Sequence, residues 1–424
     1  MKILIKNGRV VDPANNLDKV CDILVDNGKI ARVAAKIDCA AESVIDAKDK
    51  IVMPGIIDMH VHLREPGRED KETVLTATEA ALAGGITSVL AMPNTTPAID
   101  CAENVKLLKS IIKKDARNFV FIAGAITRAR QGEEVTDTAK LKKEGVLALT
   151  DDGSSVDKDE VFLEALREAK KSKLLIICHS EDKTLSADGA VNLGITSTRM
   201  GLRGISRESE YKRVERDIAL AREASCPVHI AHISCKESVE IIRRARKKGI
   251  KVTCETAPHY FALNEEAVLG FDTNMKMNPP LRAQEDVQAI KQGLADGTID
   301  AIASDHAPHT ENEKDIEFER AQFGVIGLET EGAVAITELV DKGILDWKGL
   351  VRKLSVNPAK ILGINKGSLG KGSDADIVII SPQKKWTVQR DKFLSKSKNS
   401  PFIGRTLKGV VEYTICGGKV AFSR

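Results

Sequence analysis

Eight short, apolar, β-branched runs recur through the middle of this chain, separated by stretches with helical spacing. The runs are IVMPGIIDMHVH, GITSVLAMPN, NFVFIAGAIT, GVLALTDDG, KLLIICHSED, CPVHIAHIS, IKVTCETAPH and DAIASDHAPH. Between them lie segments such as KETVLTATEAALAGG, KDEVFLEALREAKKSK and KESVEIIRRARKKG, whose apolar residues return every three or four positions. Strands covered on both faces read as continuous apolar runs, and strand–helix alternation builds a parallel sheet with helices outside it. Eight such units predict a (β/α)8 barrel. Gly84, Gly249 and Gly297 stand where helix C-caps are expected.

The two ends of the chain read differently. Residues 1–53 alternate as short strands with Asn27-Gly28 as a hairpin turn, and residues 366–424 do the same with Gly417-Gly418. The expected fold is therefore α/β: a TIM-like barrel over 54–365, with a small β-sandwich domain built from 1–53 and 366–424. The Lys/Ser-rich stretch Lys392 to Ser400 is expected to be a surface loop.

Composition narrows the function classes. Lys+Arg 64 against Asp+Glu 61 gives +3, which leaves no basic footprint for nucleic acid. No apolar run approaches the roughly 18 residues of a membrane span, and the start MKILIKNGRVVDP lacks the apolar segment of a secretion signal. Eight cysteines without a C-x-x-C, several inside apolar runs, read as reduced thiols of a cytoplasmic protein.

Chemistry in such a barrel sits at the C-terminal ends of the strands, and polar residues fall there. Run 1 ends in His60-Val61-His62, run 4 in Asp151-Asp152, run 5 in His179, run 6 in His232 and run 8 in Asp305-His306. All eight histidines lie between positions 60 and 309. On a strand, His-x-His places both imidazoles on one face, which is half of a zinc site. His229 lies on the opposite face from His232 and reads as packed structure; His259 and His306 read as supporting residues. Arg64 shares the face of His62 and offers a planar clamp for a carboxylate. The charged segment Thr310 to Gln322 reads either as a lid over the site or as a solvated loop.

The string Pro54-Gly55-Ile56-Ile57-Asp58-Met59-His60-Val61-His62 resembles the signature of the amidohydrolase superfamily. Its extension through Leu63-Arg64-Glu65-Pro66-Gly67 is similar to the dihydroorotase family, in its bacterial single-chain form with an aspartate in the metal centre. Ala91-Met92-Pro93-Asn94-Thr95, Cys178-His179-Ser180-Glu181, Met277-Asn278-Pro279-Pro280, Ser304-Asp305-His306-Ala307-Pro308-His309 and Phe323-Gly324 extend the match to about residue 330.

The resemblance implies one or two Zn2+ ions. His60, His62 and Asp305 would hold one, His179 and His232 the other, and Asp151 would bridge them. Asp152 is the competing bridge, facing the opposite way if the strand continues. Many superfamily members bridge with a carbamylated lysine, but Lys142 and Lys143 lie at the wrong end of this strand. Such a ligand set leaves two Zn2+ net positive, enough to ionise a water near neutral pH, with Asp305 as the catalytic proton carrier. His62, Leu63, Arg64, Asn94, Asn278, His309, Phe323 and Gly324 would contact substrate.

The implied activity is reversible cyclisation of N-carbamoyl-L-aspartate to (S)-dihydroorotate in pyrimidine biosynthesis. The alternatives are an allantoinase, a dihydropyrimidinase or hydantoinase, or a non-catalytic scaffold for aspartate transcarbamoylase. A homodimer, and docking to aspartate transcarbamoylase, are the implied assemblies.

Overall fold

A computed structural model describes residues 2–424. All eight apolar runs become strands of one parallel sheet: β1 (Ile56–Val61), β2 (Ile86–Ala91), β3 (Phe119–Gly124), β4 (Ala148–Leu149), β5 (Leu175–Cys178), β6 (Val228–Ile230), β7 (Val252–Thr256) and β8 (Ala301–Ile302). They pair in sequence order. Past the end of β8, Val61 bridges His306 in parallel and the His62 N–H donates to the His306 carbonyl at 2.9 Å, so the sheet nearly closes on itself. The helices expected between the runs form, among them Val74–Ala83, Asp159–Ser172, Glu208–Ala224, Lys236–Lys247 and Gln284–Asp296. Each buries its apolar stripe on the barrel, as Phe162, Ala165, Leu166 and Ala169 do for the second of these.

Of the three expected cap glycines, Gly249 and Gly297 take left-handed φ of 76° and 85°. Gly84 does not: its φ is −81°, and Gly85 makes the left-handed turn at 85° instead. Gly84 is required for another reason. A Cβ there would sit 2.0 Å from the Leu328 carbonyl oxygen, so the helix end packs against bare backbone.

Both termini enter one hydrogen-bonded eight-stranded sheet. Lys2–Asp12, Leu17–Asp26, Lys29–Ala34, Ser43–Asp46 and Ile51–Pro54 supply one side, and Ile377–Thr387, Thr406–Cys416 and Lys419–Ser423 the other. Ile51–Pro54 joins them, pairing antiparallel with Ile377–Ile380. Both expected hairpins form, with Asn27, Gly28, Gly417 and Gly418 at positive φ. Ile3, Ile5, Ile23, Val52, Ile377 and Ile415 pack in a core of their own.

The Lys392 to Ser400 stretch is not a surface loop. Ser395, Ser397, Asn399 and Ser400 are buried. The segment crosses onto the barrel's working face, where Ser395 Oγ bonds Glu72, Ser397 Oγ donates to the Lys71 carbonyl and Asn399 bonds the His309 region. Lysine ammoniums that sequence alone assigns to solvent are spent on main-chain oxygens: Lys398 Nζ donates to the Phe393 and Ser395 carbonyls at 2.6 Å each.

No helix among the described residues is long and apolar enough to cross a membrane. All eight cysteines are free, and five of them are buried.

Candidate metal centre and substrate site

β1 delivers His60 and His62 to the barrel mouth with both rings on one side, as strand alternation requires. Asp58, below them on the same face, accepts from the His60 and Ser304 N–H groups at 3.1 Å and from Ser304 Oγ, tying β1 to the end of β8. Burial raises the Asp58 pKa to about 7. Four imidazoles then converge. His60 and His62 ring centroids are 5.3 Å apart, His60 and His232 5.2 Å, and His179 and His232 4.8 Å.

The carboxylate at the centre of these rings is Asp152. Its Oδ1 lies 3.1 Å from His60 Nε2, 3.4 Å from His179 Nδ1 and 3.5 Å from His232 Nε2, and its Oδ2 lies 3.4 Å from His62 Nε2. Asp305 Oδ1 approaches His62 Nε2 at 3.3 Å and His60 Nε2 at 3.6 Å.

Asp151, expected from sequence as the bridge, is elsewhere. Its carboxylate accepts from the Ile126 and Thr127 N–H groups at 2.8 and 3.1 Å and from Thr127 Oγ1. The expectation assumed that the strand continues through Thr150. It does not: β4 pairs only at Ala148 and Leu149, and Thr150 Oγ1 then accepts from the Asp152 N–H at 3.1 Å. That hydroxyl-stabilised turn breaks the period-two alternation and exchanges the faces of the two aspartates.

Electrostatics fit a cation site. Burial alone would lower His60, yet Asp152, Asp305 and Glu255 hold it well above its ordinary value. His179 is raised to about 9 against its own burial by Asp152 and Glu181. Asp152, despite burial, is held well below the usual carboxylate range by His60, His179 and His232. His60 Nε2 and Asp152 Oδ1 are buried without a well-formed hydrogen bond, although 3.1 Å apart. Two groups offer converging ligand atoms: His60, Asp152 and His232, and His60, His62 and Asp305. A divalent ion would supply the positive charge that these acids call for, and the imidazole and carboxylate donors suit one.

Acids that sequence reasoning overlooked orient the imidazoles. Glu255 on β7 bonds His60 Nδ1 at 2.9 Å and lies 3.3 Å from His229 Nε2. Burial pushes it up, but the two histidines hold it at about 2. Glu181 Oε2 lies 3.3 Å from His179 Nε2 and accepts from Asn278 Nδ2 at 3.1 Å. Carboxylates behind the ring nitrogens fix which nitrogen faces a metal. An acidic residue inside an apolar strand run, as in IKVTCETAPH, was the available signal, because a buried charge demands a partner.

Of the expected substrate residues, Arg64, His309 and Gly324 lie together, while Asn278 bonds Glu181 beside His179. His62 Nδ1 bonds Asn94 Oδ1 at 2.8 Å. Arg64, at a left-handed φ of 62°, donates through Nε to the Pro308 carbonyl at 3.1 Å, with Nη2 3.4 Å from His309 Nε2. Burial lowers Arg64 to about 10. Gly324, at φ 129°, fits against His309 and Ala307 where a Cβ would meet Ala307 Cβ at 2.8 Å. Leu63 and Phe323 flank these positions in the chain; the Leu63 side chain is buried in the core. His306 is fully buried, its Nε2 3.3 Å from Glu72 and its Nδ1 accepting from the Gly327 N–H. His259 is buried against Tyr260 and lowered to about 4. The Thr310 to Gln322 segment is tied down: Lys314 Nζ donates to the Gln322 and Gly324 carbonyls at 2.8 and 3.0 Å.

Comparison with known proteins shows the family. The family model described as "Dihydro-orotase-like" matches residues 49–238. The curated dihydroorotase of Elusimicrobium minutum (strain Pei191) is 52% identical over 99% of this chain and 97% of its own length. That of Geotalea daltonii is 50% identical over the full length of both. Among solved structures, the L-hydantoinase (dihydropyrimidinase) of Arthrobacter aurescens superposes with a TM-score of 0.90 at 27% identity, covering 99% of this chain and 95% of that one. The hydantoinase likeness carries the barrel and its flanking sheet; sequence identity of about one half along the whole length is the more specific finding. This chain belongs to the dihydroorotase family of cyclic amidohydrolases.

Proposed function

We propose that the chain interconverts N-carbamoyl-L-aspartate and (S)-dihydroorotate at a zinc centre held by His60, His62, Asp152, His179, His232 and Asp305. The observation that carries this reading is one carboxylate, Asp152, within 3.5 Å of four imidazoles, with Asp305 beside two of them. Nitrogen and oxygen donors of this kind suit zinc, which when bound acidifies water and polarises a carbonyl.

The chain's own residues supply the rest. Asp305 is held below its ordinary pKa by His60, His62 and His232 against the opposing effect of burial, so it begins each turnover ionised. It takes a proton from the attacking water and returns it to the ring nitrogen that leaves. Arg64, Asn94 and His309 face the substrate carboxylate; Asn278, with the Phe323–Gly324 main chain, lines the ring. Metal removal by chelation, followed by return of zinc and assay with dihydroorotate against allantoin and hydantoin, tests the whole reading. Activity that survives chelation, or a preference for a neutral ring, would overturn it.

Two further results are expected. Ring closure joins a dianion and a proton to give a monoanion and water. The equilibrium ratio of ring to open chain therefore falls about tenfold for each unit rise in pH across the neutral range. Closure dominates in acid and hydrolysis in alkali; product ratios measured from both directions check this. Arg64→Lys should raise KM about tenfold or more, since a point charge cannot fork a carboxylate. An unchanged KM would assign Arg64 to structure.

A homodimer in the cytoplasm is the assembly expected of such an enzyme, with aspartate transcarbamoylase as a candidate partner. Free cysteines throughout support a reducing compartment, and sedimentation with and without the transcarbamoylase tests the assembly.

A further inference from the structure

The ring of His309 is framed by cations. Its Nδ1 lies 3.1 Å from Lys71 Nζ, and its Nε2 lies 3.4 Å from Arg64 Nη2. Lys71 is buried, with 4% of its surface exposed. An ammonium carries only hydrogens to offer, so the nitrogen facing it has to present a lone pair. A neutral imidazole with its lone pair on Nδ1 carries its proton on Nε2. Nε2–H and the Arg64 Nη2 hydrogens then lie side by side as two donors that cannot satisfy each other. Both await one shared acceptor, which suits an anionic oxygen.

Lys71 is itself held in place. Its Nζ pairs with Glu313 Oε1 at 2.8 Å, and Glu313 is further fixed by Arg68 Nη2 at 3.0 Å and the Thr310 N–H at 3.1 Å. The Lys71 carbonyl accepts from Ser397 Oγ at 2.7 Å, on the segment that crosses over from the C-terminal region. That segment also holds the other side of His309. Asn399 Oδ1 accepts from the His309 N–H at 3.2 Å, while Asn399 Nδ2 donates to the Gly324 carbonyl at 3.0 Å. The strap thus holds the His309 backbone directly and reaches its ring only through Lys71.

We propose that Lys71 is a positioning residue of this site: braced by Glu313 and Ser397, its ammonium fixes His309 in the tautomer that presents Nε2–H, beside Arg64, to the substrate carboxylate. The proposal rests on the reading of this mouth as the dihydroorotate site. The groups facing the His309 ring are Arg64, Lys71 and Lys314, which lower its pKa, and Glu313, which raises it; burial acts first, and together they bring it to about 2. The ring is therefore neutral throughout the working range, and its tautomer is the variable that matters. The competing arrangement puts the proton on Nδ1, donating to Glu313 Oε2 at 3.4 Å with Nε2 accepting from Arg64. It would set the Lys71 ammonium against an N–H.

The test is nitrogen NMR of the imidazoles in zinc-loaded enzyme, with the His309 signals assigned by their loss in His309→Gln. A lone pair on Nδ1 and a proton on Nε2 are expected. Lys71→Met should mix or invert the tautomers and raise KM for dihydroorotate about ten- to hundredfold, the loss typical of a hydrogen bond to a charged group. Its kcat should change much less and its zinc content should stay unchanged. Lys71→Arg, which keeps a donor toward Nδ1, should restore the tautomer and most of the affinity. A proton on Nδ1 in the unsubstituted enzyme overturns the proposal, as does an unmoved tautomer or KM in folded Lys71→Met. If Lys71→Met does not fold, the unsubstituted spectrum and the Ser397→Ala variant, with a smaller shift in the same direction, still decide it. Failure of the unsubstituted enzyme to open dihydroorotate would instead overturn the functional reading, leaving the tautomer measurement to stand on its own.

Discussion

Asp305→Ala is expected to lower kcat for dihydroorotate by about 10²- to 10⁴-fold, the range that a positioned proton carrier contributes, with the barrel intact. Opening the ring requires a proton to reach the departing nitrogen, and Asp305 is the carboxylate set at the rim of the cluster, against His62 and His60. Asp152 cannot substitute, because both of its oxygens are turned to the four imidazoles. The backbone marks the position as well. Asp305 stands at φ 48°, Arg64 at 62° and His232 at 32°, a region that costs a residue with a Cβ roughly 1–2 kcal/mol. Three residues held there at one rim indicate that the loops are shaped for side-chain placement at some expense in stability. Asp305→Asn keeps the shape and an oxygen but cannot receive a proton, so it should fall nearly as far as Asp305→Ala. Steady-state kinetics with zinc in excess, with circular dichroism to confirm folding, check both variants. Near-normal kcat in either would remove Asp305 from proton transfer.

The parts of this molecule that were legible in its sequence are those where one physical constraint acts alone. A strand covered by helices on one side and barrel core on the other has no choice but to be apolar, so all eight strands could be read from runs such as GITSVLAMPN. Asn27-Gly28 and Gly417-Gly418 could be read because two successive positive φ values admit few residues. His60 and His62 followed from strand alternation. Alternation failed at Asp151 and Asp152 because β4 is only two residues long and a threonine turn intervenes, a local competition that leaves the apolar pattern unchanged. The strap over the mouth was illegible for a related reason. Its serines and lysines look solvated, yet their partners are Glu72, Lys71 and main-chain carbonyls brought from far along the chain. Polar groups satisfied by tertiary partners carry no periodic signature.

The second large effect separates the two aspartates at the end of β4. Asp152→Ala should weaken zinc binding by more than about 100-fold, the upper end of what removing a mere supporting partner costs, and turnover should vanish with it. The argument is one of charge: Glu255 and Glu181 lie behind His60 and His179, and of the two carboxylates among the four imidazoles only Asp305 remains without Asp152. The same charge logic sets the pH dependence of metal uptake. Without a metal, Asp152 and Glu181 push His179 up to about 9, and Asp152, Asp305 and Glu255 hold His60 well above its ordinary value, so protons compete for the ligand nitrogens as pH falls. Apparent zinc affinity should therefore fall as pH drops, with protons released on binding. Asp152→Ala should lose much of that release, since its carboxylate is a main reason the imidazoles hold protons. Asp151→Asn should behave differently. Its partners are the Ile126 and Thr127 N–H groups and the Thr127 hydroxyl, so weakening them should cost about 1–3 kcal/mol of stability while zinc stoichiometry and proton release persist. Calorimetric zinc titrations in buffers of different ionisation heat, run beside thermal unfolding, resolve the pair. Loss of zinc in Asp151→Asn with retention in Asp152→Ala would show that the turn at Thr150 is not the one present in solution, and the bridging role would return to Asp151.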